Sequence, residues 1–187
     1  PIGRTILGTE ASIGRHSRDD ILQFIATHYV PRRMVLSAAG ATDHAMIARV
    51  AEEAFGDLEN KPLSVAEPGQ YVGGRSIVHK KLEQVQLVLG YGGLKRTDPD
   101  YYALQVFSTL LGGGMSSRLF QEIREKRGLV YTVSSFVSAY SDCGIFGIYA
   151  ATGPKQMDEL MPALAEVLLS ADQHISEHEL LRAKNQI

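Results

Sequence analysis

The amino-acid sequence predicts an α+β protein whose sheet is mixed but largely antiparallel and packed with helices. Two adjacent apolar runs, Leu129 to Ala139 and Ile145 to Ala151, flank the turn-forming stretch Ser141 to Gly144 and read as an antiparallel hairpin. Helical periodicity recurs on both sides of that hairpin. Between the two periodic regions, residues 57–74 lose all pattern and gather Pro62, Pro68, Gly69, Gly73 and Gly74, the composition of a linker. The chain is therefore expected to divide into residues 1–56, a linker over 57–74 and a second unit over 75–187.

In chain order, Ser17 is placed to cap a helix from Arg18 to Tyr29, with Ile21, Leu22, Ile25 and Ala26 on one face and Pro31 beyond its end. Met34 to Ala39 reads as a buried strand. Asp43 caps a helix to Phe55 in which Ile47, Val50, Ala51 and Ala54 fall in step. The second unit opens with strands at Ile77 to Lys80 and Val85 to Tyr91, followed by a helix from Asp98 to Leu111. After the glycines at 112–114, Ser116 or Ser117 caps a short helix with Leu119, Phe120 and Ile123 as its apolar stripe, and Gly128 ends it. Arg124 then lies in the last turn of that helix, and Tyr131 close to the start of the next strand. A helix over Lys155 to Leu169 and the beginning of another at Glu177 complete the pattern.

Gly112 to Tyr131 carries an arginine and a tyrosine seven residues apart, Arg124 and Tyr131, across a helix end. The run resembles the inverted-zinc metallopeptidases, the family of the mitochondrial processing peptidase, pitrilysin and insulin-degrading enzyme. The opening Gly3-Arg4-Thr5-Ile6-Leu7-Gly8, the MVLSAAG segment ending at Gly40, Asp43-His44, the QVQLVLGYGG strand, Asp98 to Gln105 and Tyr140 to Tyr149 are similar to the processing-peptidase branch, in the family's order. The resemblance implies α/β roll domains, here the end of an N-terminal peptidase-like domain and a second, truncated one. It also implies that Arg124 and Tyr131 contact a peptide or unfolded polypeptide substrate near the scissile carbonyl. Zinc is implied for the full-length enzyme, with the metal helix upstream of Pro1, and so is a homo- or hetero-dimer with a related subunit.

Composition narrows the alternatives. A net charge of −2 with interspersed signs offers no basic stripe for nucleic acid and no polybasic anchor. No apolar stretch approaches the roughly 20 residues of a membrane-spanning helix. The single cysteine, Cys143, allows no internal disulfide and sits in a turn, so it reads as neither staple nor nucleophile. Pro1 follows no methionine, charged leader or apolar signal core, which predicts a fragment; a bacterial cytoplasm, a periplasm and a mitochondrial matrix are all compatible compartments. Gly112 to Gly114 lacks the preceding strand and the lysine of a phosphate loop.

His174-Ile175-Ser176-Glu177-His178 spells H-x-x-E-H, the signature of the same zinc family. Zinc chemistry needs both histidines on one helical face, with the glutamate turned toward metal-bound water. Here Ser176 and Glu179 form a capping box, so the helix is expected to begin at Ser176 and leave His174 outside it. The flanks are polar and no third ligand follows. His174, Glu177 and His178 are therefore read as a decoy, no metal is expected on this chain, and a self-contained zinc hydrolase fails on ligand count. His16, His28, His44 and His79 are isolated in sequence.

Two readings of Arg124 and Tyr131 stand side by side. In one, Arg124 simply meets a helix dipole and Tyr131 is a half-buried strand residue. In the other, which the resemblance favours, both are donors that bind peptide backbone and support developing negative charge; neither is a base. A non-catalytic scaffold or partner subunit of the same superfamily is the competing function.

Overall fold

The computed structural model describes residues 3–62 and 67–187, which fall into two units, 1–67 and 68–187. The first contains α1 (Glu10–Ile13), α2 (Arg18–His28), a 3-10 turn at Pro31–Arg33 and α3 (His44–Phe55). Each α-helix starts where its capping side chain dictates. Asp20 accepts a hydrogen bond from the Ser17 amide at 2.8 Å while the Ser17 hydroxyl accepts from the Asp20 amide, and Asp43 accepts from the Met46 amide at 2.9 Å. The strand expected at Met34 to Ala39 is not formed. The segment is exposed, with Val35 at 90%, because no described strand lies beside it to complete a ladder.

The second unit is built on a three-stranded antiparallel sheet in the order β1-β3-β2, from β1 (Val85–Gly93), β2 (Thr132–Ala139) and β3 (Gly144–Thr152). β2 and β3 form the expected hairpin, closed by the Tyr140 amide donating to the Cys143 carbonyl at 2.8 Å. The expected strand at Ile77 to Lys80 is absent; those residues are exposed and without a ladder partner among the described residues. The strand expected from Leu129 begins only at Thr132. Leu129 and Val130 ahead of it are buried, but their backbone turns out of the ladder to follow the preceding helix.

One face of the sheet carries the core. In register, Leu87, Ala150 and Val133 lie abreast, as do Leu89, Ile148 and Ser135. Against this face pack α4 (Tyr101–Gly112), α5 (Met157–Leu169) and the helical segment between α4 and β2. Leu111, Leu119, Ile123, Ile148, Leu160 and Leu164 are each wholly buried, and filling this layer with aliphatic side chains is the main source of stability. On the other face the Phe136 ring lies across Gly147, opposite it in register, where a Cβ would come within 2.2 Å of the ring.

α4 meets β2 through a glycine. A Cβ on Gly112 would lie 2.4 Å from the Ser135 amide nitrogen, and this close approach lets Ser135 Oγ donate to the Ser108 carbonyl at 2.6 Å. Because the obstacle is backbone, Gly112→Ala is expected to destabilise the protein by about 2–3 kcal/mol. Thermal unfolding of the variant checks this, and an unchanged midpoint would contradict the close packing.

A single arginine joins three helices. Arg118 Nε and Nη2 form a two-pronged ion pair with Glu179 of α6 (Glu177–Asn185), at 2.7 and 3.0 Å. Nη1 donates to the carbonyls of Ser170, Ala171 and Gln173, and Nη2 to that of His174. Most of these carbonyls sit at or just past the C-terminal end of α5, where helix carbonyls lack internal partners. The hydrogen bond from Arg118 holds the Glu179 carboxyl below its ordinary value of 4.5, against the opposing effect of burial. A depressed carboxylate contributes stability above its unfolded value and loses it as pH falls through the folded one. Arg118→Ala is expected to cost about 3 kcal/mol at neutral pH. Between parent and Glu179→Gln, the difference in unfolding midpoint should shrink as pH is lowered from 6 through the ordinary glutamate range; a constant gap would rule out this pair as its source.

Candidate functional site

Arg124 lies on a helical segment that departs from the expected α-helix. After one α-helical step at Arg118 and Leu119, residues Phe120–Lys126 wind as a π-helix, with backbone bonds reaching one residue farther than in an α-helix. Neither expected serine caps it. The Ser117 hydroxyl turns back to donate to the Gly114 carbonyl at 2.5 Å, while the Ser117 carbonyl accepts from the Gln121 amide at 2.9 Å. Gly128 does end the helix, with a φ of +62°. Its amide donates to the Arg124 carbonyl at 3.1 Å and the Leu129 amide to the Ile123 carbonyl at 3.0 Å, a nested pair of the kind that closes helices on a left-handed glycine.

The five residues between helix and strand are fixed from below. Leu129 and Val130 are buried, and the wholly buried Thr152 donates its hydroxyl to the Leu129 carbonyl at 2.5 Å. The Tyr131 amide donates to the Ala151 carbonyl at 2.8 Å, one residue before β2 begins. With its backbone tied to β3, Tyr131 as a whole remains 62% exposed. Its hydroxyl has no hydrogen-bond partner among the described residues.

Arg124 is exposed, with its guanidinium carbon 4.7 Å from the centroid of the Phe120 ring. Phe120, expected in the apolar stripe, is only partly buried and supports the arginine. The neighbouring cations are neutralised: Arg118 by Glu179, Lys126 by Glu122 at 2.5 Å and Arg127 by Glu166 at 2.6 Å. Among the described residues, Arg124 is the cation of this helix that no carboxylate meets. The segment thus presents an unneutralised fork of donors and, past the Gly128 turn, an exposed phenol.

His174 and His178 do not share a helical face. α6 begins at Glu177 under a Ser176 cap, whose hydroxyl accepts from the Glu179 amide at 3.2 Å. His174 lies before that cap with φ +52°, its carbonyl engaged by Arg118. No cluster of three or more His, Cys, Asp or Glu able to hold a metal occurs among the described residues, and two histidines split by a helix cap do not fit the one-face arrangement that an H-x-x-E-H zinc site needs. Sequence reasoning did not find Arg118, whose carboxylate partner is 61 residues away and carries no local signal.

Comparison with known proteins places this chain in a family. Residues 15–187 match the family described as the peptidase M16 inactive domain. Over its full length the chain is 39% identical to an uncharacterized zinc protease of Rickettsia felis, and 36% identical to another of Bacillus subtilis. It spans 46% of each of those relatives, about half their length. Among solved structures, a peptidase M16 inactive domain from Pseudomonas fluorescens superposes with a TM-score of 0.76 at 26% identity, over 96% of this chain and 44% of that one. A chain of Complex III2 from Candida albicans shares the fold, with a TM-score of 0.85 at 24% identity over 96% of this chain and 45% of that one. No helix among the described residues is long and apolar enough to cross a membrane. The α+β fold, the run from the triple glycine to Tyr131 and the matched sequence agree: this chain belongs to the peptidase M16 inactive-domain family.

Proposed function

We propose that this chain is the substrate-contacting part of a zinc-dependent endopeptidase of the processing-peptidase type, acting on peptides or unfolded polypeptide with the metal held elsewhere in the protein. The observation that carries the reading is Arg124: stacked on Phe120 and unmatched by any carboxylate among the described residues, while the cations around it are ion-paired. The zinc-protease names of the relatives support the reaction class. In this reading residues 1–56 close an N-terminal peptidase-like domain, 57–74 link, and 75–187 form the Arg124- and Tyr131-bearing domain, with a related subunit completing a dimer.

The chemistry assigned to these residues is binding and charge support. A guanidinium offers several N–H donors in a rigid fork and the phenol one more, so together they suit the carbonyl oxygens of an extended peptide. Donors placed where negative charge grows during attack on a peptide carbonyl stabilise the transition state more than the ground state. No step is assigned to a metal on this chain. A non-catalytic partner subunit is the second reading, favoured by the family's description as an inactive domain.

In the whole protein, Arg124→Ala and Tyr131→Phe are each expected to lower kcat/KM for cleavage of fluorescence-quenched peptides by about a hundredfold, or roughly 2–4 kcal/mol, with bound metal unchanged. Normal cleavage by both variants, or losses that only track unfolding, would make the pair structural. Absence of cleavage by the parent would favour the partner-subunit reading. The purified chain by itself, after mild dialysis, is expected to hold no stoichiometric zinc by elemental analysis. One zinc per chain, lost in His178→Ala, would restore the H-x-x-E-H segment as a site.

A further inference from the structure

We propose that Arg118 is a positioning residue for Arg124: its fork holds the intervening helix in the π register that aims the Arg124 side chain. This rests on the reading of Arg124 as a substrate contact. A π-helix is a rare and less favourable winding that persists where its surroundings over-determine it. Both ends of this one are pinned. At the far end, the nested bonds to Gly128 and Leu129 and the Thr152 bond to the Leu129 carbonyl fix where the backbone leaves the helix. At the near end, Arg118 is fastened by six hydrogen bonds to the α5–α6 connection and to Glu179.

Between those anchors the chain is wound wider than an α-helix, and the π winding takes up the difference. Leu119 and Ile123, both wholly buried, lie on the inner side and fix the depth of the segment without fixing its winding. Releasing the near anchor lets the segment tighten to the α register. Shedding one residue from the winding rotates the side chains relative to the anchored end by about 100°. Phe120, near the released end, would then turn away from Arg124, which the Gly128 bond keeps at the far end, and the guanidinium would lose the ring it rests on. A lysine at 118 keeps a positive charge but supplies a point of charge instead of a planar fork, so it cannot hold the ion pair and all the carbonyls together.

The test is a double-mutant cycle in the whole protein, comparing parent, Arg118→Lys, Arg124→Ala and the double variant for peptide cleavage. Arg118→Lys should lower kcat by about tenfold to a hundredfold with little change in KM. In the Arg124→Ala background the same substitution should cost nothing further, and hydrogen exchange at the Gly128 and Leu129 amides should quicken in Arg118→Lys. Equal losses in both backgrounds, or unchanged exchange, would show that Arg118 supports only stability and would overturn the inference while leaving Arg124's role standing. Unaltered cleavage by Arg124→Ala would overturn the substrate-contact reading and this inference with it. If Arg118→Lys does not fold, Glu179→Gln, which weakens the fork from the other side, is run through the same cycle and read by the same outcomes.

Discussion

The Arg118 guanidinium is the point at which the second unit is tied together away from the sheet. Hydrophobic burial brings α4, α5 and the π segment onto one sheet face, but burial is non-directional and does not decide how helix ends meet. The end of α5, the loop to α6 and the first turn of α6 leave carbonyls and a carboxylate converging on one partly buried spot, and one planar cation satisfies them together. Removing it would strand several acceptors at once, which costs far more than the loss of an ordinary surface pair.

From that anchor the path to the candidate site is short. The helix that starts at Arg118 runs over the buried Leu119 and Ile123, turns on Gly128 and delivers Tyr131 to β3, where the Ala151 carbonyl receives its amide. A donor fork and a phenol are thereby held on backbone that is fixed below by Thr152 and above by the glycine turn. The rigid parts are buried and the chemical groups are exposed, the arrangement expected of side chains that meet something other than their own fold.

Much of this could be read from residue order because capping and hairpin signals are local. Ser17, Asp43 and Ser176 each start a helix as their side chains require, and the Ser176 cap is what separates His174 from His178. The failures have one physical origin. Met34 to Ala39 and Ile77 to Lys80 have the composition of strands, but a strand exists only where a neighbour supplies its ladder, and that neighbour is not written in the segment itself. The π winding of Phe120–Lys126 was hidden for a similar reason. Its apolar spacing suits an α-helix equally well, and the extra width is imposed by anchors distant in sequence.

The Phe120 ring beneath Arg124 bears on the entropy of recognition. A free arginine side chain loses about 0.5–1.5 kcal/mol of rotamer freedom when an acceptor immobilises it. Contact with a ring, 4.7 Å from the guanidinium carbon, already narrows that freedom. In the proposed role, an arriving carbonyl meets a side chain whose freedom is already reduced, so less of the contact's gain is spent on ordering it. The aromatic residue one turn earlier shapes the strength of such a contact without touching the incoming chain.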